Sequence, residues 1–460
     1  MEKKMGLEKN DIVTVNIEDI STTGEGIGKV DGFTLFIKDT VIGDVAEVKI
    51  IKAKKTYGYG KLMKIVTPSK NRVEPRCPVA KACGGCQIQE MSYDSQLLYK
   101  QNMVKNNLKR IGGISDFEMC PIIGMEEPYN FRNKAQYPVG QDSNGNIIMG
   151  FYAAHSHAII DNMDCCIGAP INAGILAIIK DFMLKNDIKP YNEYEHTGLV
   201  RHILIRVGST TGQVMVCIVI NGREIPNSDE LVNSLSEVEG IESIMLNINK
   251  EKTNVILGKK VRTLWGKSYI EDYIGNVKFQ ISPLSFFQVN PKQTEILYNK
   301  ALEYADLSGD ETVWDLYCGI GTISLFLAHK AKKVYGVEIV SEAIDDARKN
   351  AKINDITNAE FFVGKAEEVL PAYYEEHKDD YADVIIVDPP RKGCEEALLK
   401  TIVLMAPAKV VYISCDSATL ARDLKFMCEN GYKVVKIQLV DQFGHSVHVE
   451  TVCLLSKIVK

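Results

Sequence analysis

Beyond Thr312 the sequence alternates short β-branched runs with helical stretches: TVWDLYCGIGTISLFLA, KVYGVEIVSEAIDDARKNAKIN, AEFFVG, ADVIIVDPPRKG, KVVYISC, YKVVKIQLVDQF and HVETVCLLSKI. Strands that alternate with helices bury both faces by winding those helices around a mostly parallel sheet. The C-terminal part therefore reads as α/β, a Rossmann-like doubly wound domain. Such sheets bind ligands in a crevice beyond the carboxyl ends of their strands. The side chains at those ends are the first candidates for function.

Four strand ends carry suitable chemistry. In DLYCGIGTIS, Gly319 and Gly321 let the backbone approach a ligand closely, and Glu338, seventeen residues after Gly321, ends KVYGVE where an acid can bond two ribose hydroxyls. A dinucleotide site would call for a third glycine at the position of Ser324. Asp315 and the D-x-x-x-G-x-G spacing that follows it resemble motif I of S-adenosylmethionine-dependent methyltransferases instead. In VIIVDPPRKGC, Pro389 and Pro390 stiffen the turn that presents Asp388, and Arg391 stands where enzymes that methylate amines carry a base-stacking aromatic residue. In VVYISCDSATLARDL, Cys415 sits between a buried strand and a helix that starts near Ser417. Glu450 precedes the apolar run TVCLL, with His448 nearby.

A thiol among acids at a methyl-donor crevice has a specific use. Carbon 5 of uracil is too weak a nucleophile to take a methyl group from a sulfonium directly. Thiolate addition at carbon 6 turns the ring into an enolate with nucleophilic character at carbon 5. A base must then take the proton from carbon 5 so that the sulfur leaves. Cys415 suits the first task and Glu450 the last.

The N-terminal third has a different texture. Residues 11 to about 66 hold short alternating runs (DIVTVNI, FTLFI, DVAEVKII, YGYGKLMKIV) separated by glycine turns, the pattern of a small barrel. The whole chain has 54 basic and 60 acidic residues, yet Lys49 to Arg76 holds nine Lys or Arg against Glu74 alone, a local net of +8 that attracts phosphates. RCPVAKACGGCQIQ follows, with Cys77, Cys83 and Cys86 around a Gly84-Gly85 turn. Twelve cysteines spread over 460 residues argue for metal ligation or catalysis rather than a disulfide framework. Three thiolates on one loop can wrap a zinc or iron-sulfur centre given a fourth ligand, and Cys165 and Cys166 are the candidates. The C-x5-C-x2-C spacing is not the C-x3-C-x2-C of radical enzymes.

MSYDSQLLYKQNMVKNNLKRIGG reads as an amphipathic helix with Lys100, Lys105, Lys109 and Arg110 on its polar side. From about 118 to 275 strands and helices mix, and Arg132, Lys134, Arg201, His202 and Arg206 punctuate strands that could face a polyanion. A further helix opens after Pro291. No apolar run approaches a membrane span and MEKKMGLEKND lacks a signal-peptide core, so a cytoplasmic protein is expected.

Taken together, the TRAM-like start, the cysteine loop, YNFRNKAQYPVG, GFYAAHSH, SPLSFFQVNP, DLYCGIGT, DPPRKG, SCDSATLARDL and HVETV resemble the RNA (uracil-5-)-methyltransferase family along nearly the whole chain. The resemblance implies a TRAM (OB-like) β-barrel at 1–66 that binds RNA, a central mixed α+β domain at 67–278 and an S-adenosylmethionine-dependent methyltransferase domain at 279–460, with the helix at 92–112 packed on the last. It implies Cys415 as nucleophile, Glu450 as base, Asp388 in the catalytic group, and cofactor or base contacts from Gln288, Tyr317, Gly319, Gly321, Thr322, Glu338 and Asp388. It also implies a [4Fe-4S] cluster on Cys77, Cys83, Cys86 and Cys166, the last preferred over Cys165. With barrel and cysteines both present, it points to 23S rRNA rather than tRNA, and to a monomer without DNA or membrane partners. A non-catalytic iron-sulfur RNA-binding or redox-sensing protein is the reading from another class. Several positions depart from the family pattern. Asp416-Ser417 replace a residue-Pro pair, which predicts a looser loop and an acid that raises the Cys415 pKa. Lys365 stands where an acid or amide meets adenine, and Gln442 and Gly444 stand where Met and Pro are usual.

Overall fold

The computed structural model describes residues 7–377 and 381–458; the first six residues, part of the stretch read above for a signal peptide, lie outside them. The chain divides into two compact units. The first comprises Met1–Asn102, Phe151–Ile160 and Phe443–His448, and the second Met103–Gly150, Asp161–Gln442 and Val449–Lys460. No helix among the described residues is long and apolar enough to cross a membrane.

The first unit opens with β1 (Ile12–Ile20), β2 (Gly26–Val30), β3 (Phe33–Ile37), β4 (Val45–Ala53) and β5 (Tyr57–Thr67), closed into a barrel in the order β1-β2-β3-β5-β4. Alternate residues such as Val15, Ile17, Leu35, Ile37, Val48 and Ile50 fill its interior. Closure removes the sheet edges that so small a barrel would otherwise expose. Arg72 does not add to the phosphate-attracting surface: its guanidinium bonds the wholly buried Asp44 at 2.6 Å and Glu90 at 3.1 Å. Burial alone would raise the Asp44 pKa, but Arg72 and the Ser69 and Val41 amides outweigh it and hold the carboxyl below its usual range.

Helix α1 (Tyr93–Asn107) is followed by a wider turn over Leu108–Gly112. It departs from the expected polar stripe at Lys100, which is fully buried with Nζ donating to the Phe443 carbonyl at 3.0 Å. An ammonium can be buried when a carbonyl accepts from it. Lys105, Lys109 and Arg110 are exposed as expected.

In the second unit Val104 and Leu108 join a core that contains Trp314, Tyr412, Leu420, Ala421 and Leu424. In chain order, with Phe151–Ile160 counted in the first unit, there follow β6 (Glu118–Met119), β7 (Lys134–Gln141), β8 (Ile147–Tyr152), β9 (Ile159–Asp161), α2 (Ile171–Lys185), β10 (Val200–Val207), β11 (Val214–Ile220), α3 (Ser228–Ser236), β12 (Ile241–Ile248) and β13 (Lys260–Gly266). A seven-stranded sheet runs β13-β12-β11-β10-β7-β8-β9. The strand β11, VMVCIVI, is buried on both faces, which is why it reads as a continuous apolar run rather than an alternating one.

A hairpin of β14 (Ile270–Ile274) and β15 (Val277–Ile281) leads to α4 (Pro291–Ala305), whose Asn290 cap accepts the Gln293 amide and whose first residue is proline. The expected alternation then appears as β16 (Thr312–Leu316), α5 (Thr322–Leu327), β17 (Lys333–Glu338), α6 (Ser341–Ile353), β18 (Ala359–Val363), α7 (Ala366–Glu376), β19 (Val384–Val387), α8 (Glu396–Met405), β20 (Lys409–Ser414), α9 (Ser417–Glu429), β21 (Tyr432–Val440) and β22 (Glu450–Lys457). The eight-stranded sheet has the order β18-β17-β16-β19-β20-β22-β21-β6, with β22 inserted antiparallel between β20 and β21. Strand order reverses direction at β16, between β17 and β19, and that switch point is where such a sheet opens a crevice.

One feature of this core works against stability. Gln442 is fully buried, and neither its Oε1 nor its Nε2 has a hydrogen-bond partner. An unmet buried amide costs about 1–3 kcal/mol. Gln442→Met, which keeps the volume and removes the polar atoms, is expected to raise the unfolding free energy by about that amount. A urea midpoint equal to or below that of the parent protein would contradict this.

Candidate active site

The crevice is lined by two walls. Its first wall is the turn from β16 to α5. Tyr317, Gly319 and Gly321 all take positive φ, at 76°, 55° and 81°. For tyrosine this is a strained conformation. It is held because the Tyr317 and Cys318 amides both donate to the Val337 carbonyl at 3.0 Å. A side chain at Gly321 would press on Phe361 and Ala347 at 3.2 Å, whereas one at Gly319 would meet nothing within 4 Å. Gly321 is thus needed for packing, and Gly319 faces open space.

Glu338 accepts the Gly319 amide at 3.3 Å and the Val340 amide at 2.9 Å, which fixes its carboxylate at the end of β17. Asp315 lies fully buried below. Its Oδ2 accepts from Ser324 Oγ at 2.5 Å, and its Oδ1 has no partner. Burial, helped by the Glu338 charge, lifts its pKa to about 6 against the Ser324 bonds. Thr322 shares a hydrogen bond of 2.9 Å with the buried Tyr298 hydroxyl of α4. Gln288, also buried, sits before α4 with its carbonyl accepting from Asn133 Nδ2 at 3.1 Å.

The second wall is made of three strand ends. β20 pairs with β22 so that Ser414 faces Thr451, and continuing that register by one residue sets Cys415 opposite Glu450. On the other side β19 and β20 run parallel with Val387 beside Tyr412, which brings Asp388 to the same edge. The three groups feel one another. Burial pushes the Cys415 thiol up to about 12, and the charges of Glu450 and Asp388 add to this. Glu450 and Asp388 are themselves raised well above the carboxylate range, Glu450 by burial and then by Asp388, Asp388 by burial and then by Asp315. The Arg391 guanidinium opposes the rise in both Cys415 and Glu450.

Several sequence expectations change here. Asp416 does not loosen its loop. Its Oδ1 accepts the Ala418 and Thr419 amides at 3.0 Å and caps α9, and its effect on Cys415 is the smallest of those named. Ser417 has a partner as well: its hydroxyl accepts from Asn107 Nδ2 at 2.8 Å. Lys365 bonds Glu368 at 3.2 Å on the exposed first turn of α7. His448 belongs to the first unit, beside Phe443. Arg201 does not face a polyanion: it donates to the carbonyls of Asn249, Glu251 and Thr253 and lies over the Tyr191 ring. His202 is buried and its pKa is lowered to about 4, chiefly by that burial, so it is neutral. Arg391 was read only as a missing aromatic residue, and Tyr298 carried no sequence signal because a helical tyrosine looks like any core residue.

The cysteines lie in both units. In the first, Cys77 is buried with its amide donating to Gln89 Oε1 at 2.7 Å, and Cys83 Sγ accepts the Gly85 amide at 3.4 Å. In the second, the Cys166 carbonyl accepts the Asn130 amide at 3.0 Å. Among the described residues no three His, Cys, Asp or Glu side chains form a metal-holding group.

The doubly wound sheet, the strained glycine turn and the acid fixed at the end of β17 fit the class of methyltransferases that use S-adenosylmethionine. Residues 216–458 match the family model for tRNA (Uracil-5-)-methyltransferase, and residues 7–63 match that for the TRAM domain. The chain is 52% identical over 457 residues to a protein of Clostridium tetani described as an RNA methyltransferase, covering 99% of this chain and 98% of that one. A Halalkalibacterium halodurans protein of the same description is 49% identical, covering 98% of each chain. The crystal structure of the Pyrococcus abyssi tRNA (uracil-54, C5)-methyltransferase in complex with S-adenosyl-L-homocysteine superposes with a TM-score of 0.77 at 27% identity, covering 96% of this chain and 100% of that one. The chain belongs to the uracil-5-methyltransferase family of RNA-modifying enzymes. The non-catalytic reading finds no support. The donor site fits its cofactor: Gly319 leaves room, Glu338 is fixed at the strand end, and Asp315 keeps an unused acceptor.

The raised carboxyl at Glu450 has a sign that can be tested. Folded protein keeps its proton at pH values where the unfolded chain has lost it, so this group's contribution to stability is fully present in acid and falls as pH rises through the folded value. Glu450→Gln should be about as stable as the parent at pH 5 and more stable by about 1–3 kcal/mol at pH 8. Denaturant midpoints that shift equally at both pH values would refute this.

Proposed function

We propose that the protein methylates carbon 5 of a uridine in 23S ribosomal RNA, with Cys415 as nucleophile and Glu450 as the final base. The observation that carries the reading is the β20–β22 register, which sets thiol and carboxyl on facing strands at the crevice edge. In this reading residues 1–66 gather the RNA, residues 67–278 frame the site, and residues 279–460 do the chemistry.

The target uridine must leave its stack to reach a thiol at a strand end. Cys415 Sγ bonds to carbon 6, and the carbon 5–carbon 6 π electrons move to form the enolate. Gln288, Tyr317, Gly319, Gly321, Thr322 and Glu338 would hold S-adenosylmethionine, whose sulfonium would supply an electrophilic methyl group and leave as the neutral thioether S-adenosylhomocysteine. Carbon 5 receives the methyl group. Glu450 then takes the remaining proton from carbon 5, the double bond re-forms and Cys415 departs as thiolate. Burial, with the charges of Glu450 and Asp388 added to it, holds the Cys415 thiol protonated, and the Arg391 guanidinium is the nearby group that favours the thiolate. Burial raises Asp388, and burial with the charge of Asp388 raises Glu450, so Glu450 once ionised is a stronger base than an ordinary carboxylate and suited to take the proton from carbon 5.

The ribosomal target is supported by the TRAM barrel together with the cysteine loop. A tRNA target is the second reading, favoured by the Pyrococcus abyssi likeness, which extends over 96% of this chain. We also propose a [4Fe-4S] cluster on Cys77, Cys83, Cys86 and Cys166. The all-thiol donor set suits iron-sulfur chemistry, and an amide bonded to Cys83 Sγ is the kind of contact that stabilises a ligating thiolate. No reaction step passes through it.

RNA carrying 5-fluorouridine should trap a covalent adduct, because fluorine at carbon 5 cannot be removed as a proton. Cys415→Ala should give none, and Glu450→Gln should retain adduct formation while turnover falls about 100-fold or more. No adduct with the parent protein, or an equal yield from Cys415→Ala, would overturn the mechanism. Mapping 5-methyluridine in ribosomal and transfer RNA of a deletion strain separates the two targets: loss from tRNA alone rejects the ribosomal one. Anaerobically prepared protein should contain iron and acid-labile sulfide in equal amounts and lose both in Cys83→Ser; protein without them would reject the cluster.

A further inference from the structure

Lys134 and Arg206 present an arrangement that the proposed chemistry does not use. They are directly opposed in the antiparallel pairing of β7 with β10. Like charges facing each other across a ladder repel. Here the repulsion is aggravated by burial: Arg206 is only 3% exposed, and Lys134 is half-buried. Among the described residues no carboxylate forms an ion pair with either. Arg206 donates one Nη2 hydrogen bond to the Ser285 carbonyl, while its Nε has no partner. The influences that lower the Lys134 pKa to about 7 are burial and then the charges of Arg206 and Arg132.

The position of this pair ties it to the crevice. Asn133, adjacent to Lys134, donates its amide to the Val289 carbonyl at 2.9 Å and its side chain to the Gln288 carbonyl. Arg206 holds Ser285 of the same loop. Arg206 and the neighbour of Lys134 are thus bonded to the segment 285–289, which contains Gln288. A fold that sets two cations against each other with no carboxylate bonded to either among the described residues gives up stability there, and an anionic ligand restores what is lost.

We propose that Lys134 and Arg206, with Arg132 beside them, form a notch for one backbone phosphate of the RNA next to the target uridine. This rests on the reading of the protein as an RNA methyltransferase and adds to it where the substrate strand is gripped. A planar guanidinium with free N–H groups and a flexible ammonium together suit a phosphodiester's two unbridged oxygens.

The test uses full-length protein carrying Cys415→Ala, so that binding is read without turnover, and two probes, protein-free 23S rRNA and a short single-stranded RNA containing one uridine. Lys134→Met should weaken binding of both about tenfold and lower the slope of log affinity against log salt by about 0.7–0.9, one phosphate contact. Lys134→Arg should restore both. Without RNA, Lys134→Met should melt no lower than its parent, since it removes a buried, repelled charge. An unchanged salt slope overturns the notch, and so does a loss that Lys134→Arg does not restore. An unchanged slope with a raised KM for S-adenosylmethionine in the Cys415-containing enzyme would reassign the anion to that cofactor's carboxylate. The slope needs no catalysis, so its failure is separate from a failed fluorouridine adduct, which would reject the reaction instead.

Discussion

The site depends on one insertion in the sheet: β22 runs antiparallel between β20 and β21. A parallel strand in that position would place its carboxyl end at the crevice, as its neighbours do. The reversed strand instead brings its first residue, Glu450, to the edge where β20 delivers Cys415. The proposed base and nucleophile are thereby held by backbone hydrogen bonds rather than by a flexible loop. Rigid strands fix such pairs more closely than loops can.

Burial sets the character of these groups. Asp315, Asp388 and Glu450 all have raised pKa values, and in each case loss of solvent is the largest cause. Three acids in one dry region cannot all ionise cheaply. The crevice is therefore ready to receive positive charge, which is what a sulfonium cofactor carries. Arg391, on the Asp-Pro-Pro turn, is the cation named as opposing the rise at both Cys415 and Glu450.

The same accounting distinguishes the basic residues, which look alike in sequence. Arg72 is neutralised by Asp44 and Glu90, Arg201 is spent on three carbonyls, and Lys100 on one. Arg206 donates to the Ser285 carbonyl but faces a second cation, Lys134, across the strand pair. Counting charges along the chain gives the same weight to all of them, because a one-dimensional pattern does not say which cations meet an acceptor.

The sequence alone determined the strand-helix alternation, the closed barrel, the glycine turn and the strand-end positions of Asp388 and Cys415, because each rests on local periodicity and turn chemistry. The cap at Asp416 was also a local matter, yet it was read as a loosening because a missing proline was given more weight than a present N-cap. Only the tertiary structure decided that Glu450 faces Cys415, that Tyr298 reaches Thr322, that Ser417 meets Asn107, and that Lys134 and Arg206 oppose each other. These are pairings across long stretches of chain. Their register follows from the burial of whole strands, which no single stretch of sequence contains.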